Sequence, residues 1–138
     1  MIFIRENEYS AILEYAKEQL PWEACGLLGG RKEGGSCFIE KVYFLHNGEK
    51  SREHFSMVPQ EQFQAVKDMR RRGYELLGNF HSHPETSPWP SREDKRLIYD
   101  TNLIYIIVSL KDKNKPQLKA YTYDKEKNVT CEELEVIK

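Results

Sequence analysis

The feature that most limits the fold of this chain is an uninterrupted apolar run at residues 103–108. Its sequence is Leu-Ile-Tyr-Ile-Ile-Val. Side chains of a strand alternate between two faces, so a strand that is apolar at every position needs cover on both of them. The run therefore predicts a central strand in a sheet covered by helices, which is an α/β architecture.

Helix signals occur in three places. A first helix is indicated by apolar residues at helical spacing and is expected to end at Pro21. A second helix, over residues 59–72, has Pro59 in its first turn and Gly73 as its C-cap. A third is predicted from Ser91 to about residue 99. The apolar face of the first helix consists of Tyr9, Ile12, Leu13, Ala16 and Leu20, and that of the second consists of Phe63, Val66 and Met69.

The other segments indicate strands. Residues 2–4 form a short apolar run, and residues 24–30 and 37–45 flank a Gly34-Gly35 turn, which predicts a hairpin. The polar segment 46–52 is expected to be a mobile loop. Further strands are predicted at residues 54–57, 74–83, 118–123 and 128–136. The sequence contains no repeat or linker, so residues 1–138 are expected to form one domain.

Composition excludes several classes of partner. The formal net charge is -1, which argues against nucleic acid and anionic membranes. The basic cluster at residues 70–72 is expected to complement a helix terminus. No segment approaches the roughly 20 apolar residues of a membrane span, and no signal peptide is recognised at residues 1–5. A cytoplasmic protein with three reduced cysteines is expected.

Two histidines and a downstream carboxylate have the spacing of a metal site. His81 and His83 lie on a predicted strand and point the same way, with Cα atoms roughly 7 Å apart. Asp94 lies at the start of the third helix, behind Pro90, so its carboxylate can return over the end of the strand. Two imidazoles and one carboxylate, with a position left for water, are typical of catalytic zinc.

Each of these residues also has an ordinary structural explanation. Ser91 and Asp94 have the spacing of a helix cap. Glu23 can be a solvated carboxylate at a helix-to-strand junction. Cys25 can be a small core residue, a fourth ligand or a redox handle. The joint pattern H-x-H-x7-S-x-x-D nevertheless has a small false-positive risk, which favours the metal site.

Four nearby residues are not assigned to the metal. His46 and His54 lie by the predicted loop and fit surface or substrate-side roles. Ser82 points away from the two histidines and is expected to bond within the fold. Trp89, between two prolines, is either an apolar lip beside the cleft or part of a rigidly packed loop.

The same residues resemble the JAMM (MPN-plus, Mov34-type) metalloproteases. The likeness rests on His81-Ser82-His83-Pro84, on Ser91 and Asp94, and on Glu23 within residues 21–30, and it covers nearly the whole chain. It implies a single-domain three-layer α/β/α sandwich with a mixed sheet, similar to the cytidine deaminases. The sequence lacks the combined H-x-E and P-C-x-x-C signature of the deaminases, because it contains no P-C-x-x-C, and this disfavours deamination.

The resemblance also implies a division of roles. His81, His83 and Asp94 would bind Zn²⁺, Glu23 would accept the proton of the attacking water, and Ser91 would hydrogen-bond the developing oxyanion. The expected substrate is a ubiquitin-like or sulfur-carrier protein with a Gly-Gly tail, which would add as a strand to a sheet edge beside the metal. The alternatives are another zinc amidohydrolase acting on small peptides and a non-catalytic MPN-type scaffold.

Overall fold

In this computed structural model, which describes residues 1–51, 55–98 and 100–138, eight strands form one mixed sheet. The strand order is β7-β6-β5-β4-β2-β3-β1-β8. β1 runs parallel to β3 and β8, β4 runs parallel to β5, and the other neighbours are antiparallel. The strands are β1 (Ile2–Arg5), β2 (Cys25–Glu33), β3 (Ser36–Leu45), β4 (Glu75–His83), β5 (Ile104–Ser109), β6 (Gln117–Tyr123), β7 (Val129–Glu132) and β8 (Leu134–Ile137).

The apolar run sits at the centre of the sheet, as its sequence predicts. All six residues of β5 are buried, and the strand pairs with β4 and β6. Ile106 belongs to the core that contains Ile12 of α1 (Glu6–Glu18). On the other face, Ile107 packs with Ile98, and α2 (Pro59–Arg72) buries Met69. Helices therefore cover both faces, which confirms the α/β prediction.

All three predicted helices are present, but the length of one and the buried face of another differ from the prediction. α2 has the predicted bounds, and Gly73 caps it in the left-handed conformation at a φ of 79°. α3 is shorter than predicted and spans Arg92–Arg96. The assignment of Phe63 to the buried face of α2 is wrong, because its side chain is 65% exposed while Ala65 is buried. Two residues along a helix turn the direction by about 200°, so these two positions face opposite ways.

The predicted hairpin is formed by β2 and β3. Gly34 and Gly35 have φ values of 55° and 82° in its turn, a region that glycine enters at no steric cost. Gly26 is required for a different reason, because a Cβ there would lie 2.2 Å from the Tyr43 carbonyl oxygen and 2.3 Å from the Phe80 ring. The core can close at this point only around a residue without a side chain.

The prediction of one late strand over residues 128–136 is wrong. The segment divides at Glu133 into β7, which pairs with β6, and β8, which pairs with β1. These two strands stand at opposite ends of the strand order. With one residue between them, the sheet must curl until its two edges meet. Leu118 and Leu134 accordingly pack against the same core as α1.

Three smaller expectations can be compared with the structure. Cys25, Cys37 and Cys131 are free thiols, as predicted. The basic cluster forms the last turn of α2. Within the predicted strand at 54–57, Met57 forms a single bridge with Asn47, and His54 lies outside the described residues. No helix among the described residues is long and apolar enough to cross a membrane.

Candidate metal centre

β4 brings two imidazoles to its carboxyl-terminal end. His81 and His83 are 4% and 5% exposed, and as alternate residues of one strand they point to the same face. Their Nε2 atoms lie 3.2 Å apart. Because β4 is paired with β2 on one side and with β5 on the other, the backbone that directs both rings is fixed.

The first turn of α3 supplies the carboxylate. Asp94 Oδ1 lies 3.2 Å from His81 Nε2, and Asp94 Oδ2 lies 3.1 Å from His83 Nε2. Ser91 caps the helix: its Oγ accepts from the Asp94 amide at 3.0 Å, and its own amide donates to Asp94 Oδ2 at 2.8 Å. The capping and metal-ligand interpretations therefore describe one arrangement, in which the cap holds the carboxylate towards the histidines.

The two rings are oriented by different contacts. His83 Nδ1 lies 2.8 Å from the carbonyl oxygen of Ser87, so Nδ1 carries the proton and Nε2 presents a lone pair. The His81 ring is stacked on Phe55, with 4.8 Å between centroids and 19° between planes. Its Nδ1 is buried and has no hydrogen-bond partner among the described residues. His81 is thus oriented by packing against Phe55 and by the contact of its Nε2 with Asp94.

A cation suits the space between these groups. The ligand atoms of His81, His83 and Asp94 all lie within 4.8 Å of one another. Lone pairs of two imidazoles and one carboxylate that face a common point repel one another unless a proton or a metal ion lies between them. Nitrogen and carboxylate oxygen ligands in a set of three are the donors of a catalytic zinc site. The residues therefore fit the metal that the sequence predicts.

The pKa shifts of Asp94 and His83 also favour a cation between these groups. Burial raises the pKa of the Asp94 carboxyl, but hydrogen bonds from His81 and His83 lower it by more and leave it well below its usual range. Burial lowers the pKa of His83, and its bonds with Asp94 and with the Ser87 carbonyl together raise it above its ordinary value. The anionic carboxylate thus attracts positive charge, and a proton and a metal ion compete for the same nitrogens.

Glu23 reaches this region through the strand next to β4. Its side chain is 3% exposed, and it stands two residues before Cys25, which pairs with His81 in the sheet. The register continues one residue beyond the strand, because the Ser82 amide donates to the Ala24 carbonyl at 2.9 Å. Glu23 therefore stands one residue before this backbone contact with β4, on the segment that leads into β2.

Two other candidates do not join the ligands. Among the described residues, the metal-binding group contains only the two histidines and Asp94. The Cys25 thiol lies 3.8 Å from the Leu45 carbonyl oxygen instead. Burial, followed by the charges of Glu61 and Glu23, raises its pKa to about 12. His46 has an exposed side chain paired with Glu61 at 2.6 Å, in agreement with the predicted surface role.

Two expectations beside the site have clear outcomes. Ser82 is fully buried, and its Oγ accepts from the Ala24 amide at 2.7 Å, as expected of a hydroxyl that bonds within the fold. The Trp89 ring packs edge-on against Tyr121, with centroids 5.6 Å apart. This contact agrees with the packed-loop interpretation of Trp89.

The sequence did not reveal two residues that shape the site. Asn47 belongs to the segment that the sequence predicts to be a mobile loop, yet it is 7% exposed and its Nδ2 donates to the Glu23 carbonyl at 3.1 Å. Phe55 was assigned to a short strand, and no sequence pattern indicates that it stacks on His81. The sequence offers only the Asn47-Gly48 pair, which indicates a turn and does not reveal that the amide is buried or which backbone group it binds.

A cavity of about 430 Å³ opens beside the ligands. His81 and Asp94 form part of its wall, so a molecule bound in it would meet the metal centre. Most of the remaining lining is apolar and includes Leu27, Phe55, Met57, Leu97, Ile98 and Tyr105. Such a space suits an apolar or extended chain more than a highly charged ligand.

Known proteins share this fold and this sequence. A solution structure of a protein from Desulfitobacterium hafniense has a TM-score of 0.92 and 48% identity, covering all of this chain and 94% of that one. A crystal structure of a JAB1/MPN domain protein from Archaeoglobus fulgidus has a TM-score of 0.64 and 29% identity, and the alignment covers both chains completely. These likenesses confirm the predicted fold class.

Curated relatives have peptidase names. The chain is 29% identical to the CysO-cysteine peptidase of Mycobacterium tuberculosis over 121 residues, which is 88% of this chain and 82% of that protein. It is 32% identical to the desampylase of Pyrococcus furiosus over 93 residues, which is 67% of this chain and 64% of that protein. A family model described as prokaryotic homologs of the JAB domain matches residues 5–123. The chain therefore belongs to the prokaryotic JAB domain family.

Proposed function

We propose that this protein is a zinc-dependent peptidase or isopeptidase that cuts the bond after the C-terminal glycine of a ubiquitin-like or sulfur-carrier protein. The observation that carries the proposal is the convergence of His81, His83 and Asp94 at the mouth of a cavity. The names of the relatives, CysO-cysteine peptidase and desampylase, support a peptidase with a protein substrate. The proposal treats residues 1–138 as one catalytic domain.

The proposed roles follow from the chemistry of each group. A zinc ion held by His81, His83 and Asp94 would supply a Lewis acid and lower the pKa of a water in its open position. Glu23 accepts the proton of the attacking water and passes it to the leaving amine, a step that typically contributes 10²–10⁴-fold. Ser91 donates its hydroxyl proton to the developing oxyanion, because its Oγ already accepts from the Asp94 amide.

The substrate tail must approach along the cavity. β4 is hydrogen-bonded to β2 and to β5, so this strand offers no free edge, and the addition of the tail to another sheet edge stays a prediction. The lining of the cavity includes residues 55–57, Leu97 and Ile98. An extended tail lying along this lining would bring its last carbonyl to the ligands.

Two other functions compete with this one. A non-catalytic scaffold has no need for Glu23, His81, His83, Ser91 and Asp94 together, and a poorly exposed carboxylate such as Asp94 costs stability unless its charge is paired. A zinc amidohydrolase acting on small peptides would use the same groups. The proposed carrier-processing peptidase and the small-peptide amidohydrolase differ in one requirement. Only the former needs a folded carrier protein before the scissile bond.

The test is cleavage of a carrier protein fused through a Gly-Gly tail, measured with zinc-loaded protein. We expect the wild-type protein to cut after the second glycine, Glu23→Ala to retain zinc but lose cleavage, and Glu14→Ala, an exposed site on α1, to behave as wild type. Equal cleavage of a short Gly-Gly peptide would favour the small-peptide amidohydrolase. If the protein holds stoichiometric zinc and no tailed carrier is cut, the carrier-processing proposal fails.

A further inference from the structure

The backbone on either side of the Glu23-Ala24 peptide bond is held by residues from two different parts of the chain. The Glu23 amide donates to the Ser51 carbonyl at 2.7 Å, and the Glu23 carbonyl accepts from Asn47 Nδ2 at 3.1 Å. The Ala24 amide donates to Ser82 Oγ at 2.7 Å, and the Ala24 carbonyl accepts from the Ser82 amide at 2.9 Å. Thus all four backbone polar groups of this dipeptide have partners.

Two of these hydrogen bonds, from Asn47 and to Ser82, involve the same peptide group. The Glu23 carbonyl and the Ala24 amide belong to one peptide group, and peptide groups are planar. Asn47 bonds to one edge of this plane and Ser82 bonds to the other. Hydrogen bonds on both sides of this peptide group oppose its rotation. They therefore fix the direction of the Cα–Cβ bond of Glu23.

Ser82 ties this peptide to the metal ligands. It lies between His81 and His83 on β4 and is fully buried. Its Oγ takes the Ala24 amide in place of a backbone carbonyl, across 58 residues of sequence. The Glu23 segment is therefore joined to the strand that carries both histidines by the Ser82 hydroxyl as well as by the Ser82 amide.

Asn47 connects the same peptide to the wall of the cavity. Its Oδ1 accepts from the Glu49 amide at 2.9 Å and from the Ser56 amide at 3.1 Å. Ser56 follows Phe55, the ring that stacks on His81. One amide side chain thus couples the position of Glu23 to that of the wall beside the metal.

We propose that Asn47 and Ser82 are positioning residues that clamp the Glu23-Ala24 peptide and so hold the Glu23 carboxylate in place for proton transfer. The inference rests on the proposed function, because it assigns these residues to the reaction in which Glu23 takes part. Misplacement of a catalytic group by about 1 Å can cost as much as 100-fold in rate. The clamp acts on turnover rather than on substrate binding or metal binding.

The test uses Asn47→Asp and Ser82→Ala in zinc-loaded full-length protein. Asn47→Asp keeps the acceptor for Glu49 and Ser56 but places an oxygen against the Glu23 carbonyl, and Ser82→Ala removes the acceptor of the Ala24 amide. We expect each variant to lower kcat by about 10- to 100-fold, with KM within about twofold and zinc content unchanged. Asn128→Asp, which removes a surface amide bonded to Asp124 at 3.0 Å, is the matched control and should keep the wild-type kcat.

Hydrogen exchange of the Ala24 amide provides a readout independent of activity. This amide shares the clamped peptide plane, so it should exchange faster in both variants, while the Ser56 amide stays protected in Asn47→Asp. Faster exchange with unchanged kcat would show that the clamp is only structural and would overturn the inference. Unchanged exchange in both variants would show that the two side chains do not hold the peptide, which overturns it as well.

The wild-type result separates this inference from the function on which it rests. Wild-type cleavage that Glu23→Ala abolishes supports the proposed function, and the variants then decide the clamp alone. A wild-type protein that binds zinc and cuts nothing overturns both proposals. If Ser82→Ala does not fold, Asn47→Asp still breaks the opposite edge of the same peptide and decides the question.

Discussion

Asp68 and Asp94 are two poorly exposed carboxylates whose pKa values are both lowered, yet their partners differ in kind. Asp68 accepts from the Tyr43 hydroxyl at 2.6 Å and from Arg72 at 2.8 Å, and Lys41 and Arg71 are also bonded to it. The hydrogen bond from Tyr43 and then that from Arg72 lower its pKa most. Its cationic partners carry their charge at any ordinary pH.

Among the described residues, Asp94 is paired with no such permanent cation. Its neighbours are two imidazoles, which are neutral above their pKa values and then offer lone pairs instead of protons. In the Asp68 cluster, formed with Lys41, Tyr43, Arg71 and Arg72, protein cations balance the charge of the carboxylate. In the Asp94 cluster, formed with His81 and His83, the charge is balanced only when a proton or a metal ion is added. The contrast predicts that the Asp94 cluster, and not the Asp68 cluster, binds a cation.

The largest difference should appear when each carboxylate is replaced by its amide. Asp94→Asn retains an oxygen that can accept from the Ser91 amide, so α3 can still begin, but it removes the anionic ligand. We expect zinc affinity to fall by more than the about 10- to 100-fold that follows loss of a residue that merely orients a ligand. Asp68→Asn should bind zinc as tightly as the wild type. Titration against a competing chelator measures both, and equal affinities in the two variants would remove the distinction.

Zinc should stabilise the fold only through the Asp94 cluster. A ligand at about 100 times its Kd adds about 2.7 kcal/mol to the free energy of unfolding, so thermal unfolding of the wild type and of Asp68→Asn should shift upward on zinc addition. His83→Ala should remain folded and show no zinc-dependent shift, because the site lies at the end of a strand. A loss of fold in His83→Ala as severe as that of a buried core mutant would instead identify the zinc as structural.

The Asp68 cluster should contribute to the dependence of stability on pH. Since folding lowers the pKa of Asp68 below its unfolded value of about 3.9, its contribution is complete above that value and is lost as pH falls towards the folded pKa. The difference in urea midpoint between the wild type and Asp68→Asn should therefore be largest near neutral pH and shrink below about pH 4. A difference that stays constant from pH 7 to pH 3 would show that the ion pairs add nothing to it.

Local sequence patterns were sufficient for most elements and for the convergence of His81, His83 and Asp94. Alternation on a strand places His81 and His83 on one face, and a capping pattern places Asp94 at a helix start, so both inferences need only neighbouring residues. The division of the last strand at Glu133 depends on the curl of the whole sheet. The clamp by Asn47 and Ser82 joins segments far apart in the chain. Neither of these contacts between distant segments leaves a local periodicity that the sequence could reveal.

Replacement of Cys25 should change zinc affinity least. It tests whether Cys25 binds the metal together with His81, His83 and Asp94. Only a thiolate binds zinc, and burial keeps this thiol neutral by raising its pKa to about 12. Cys25→Ala should leave zinc affinity within about twofold while lowering stability by about 1 kcal/mol, since it removes one buried atom from a packed core. Zinc titration and urea unfolding separate the two effects. A tenfold loss of affinity at unchanged stability would make Cys25 a fourth ligand, and the site would then resemble a closed structural centre more than an open catalytic one.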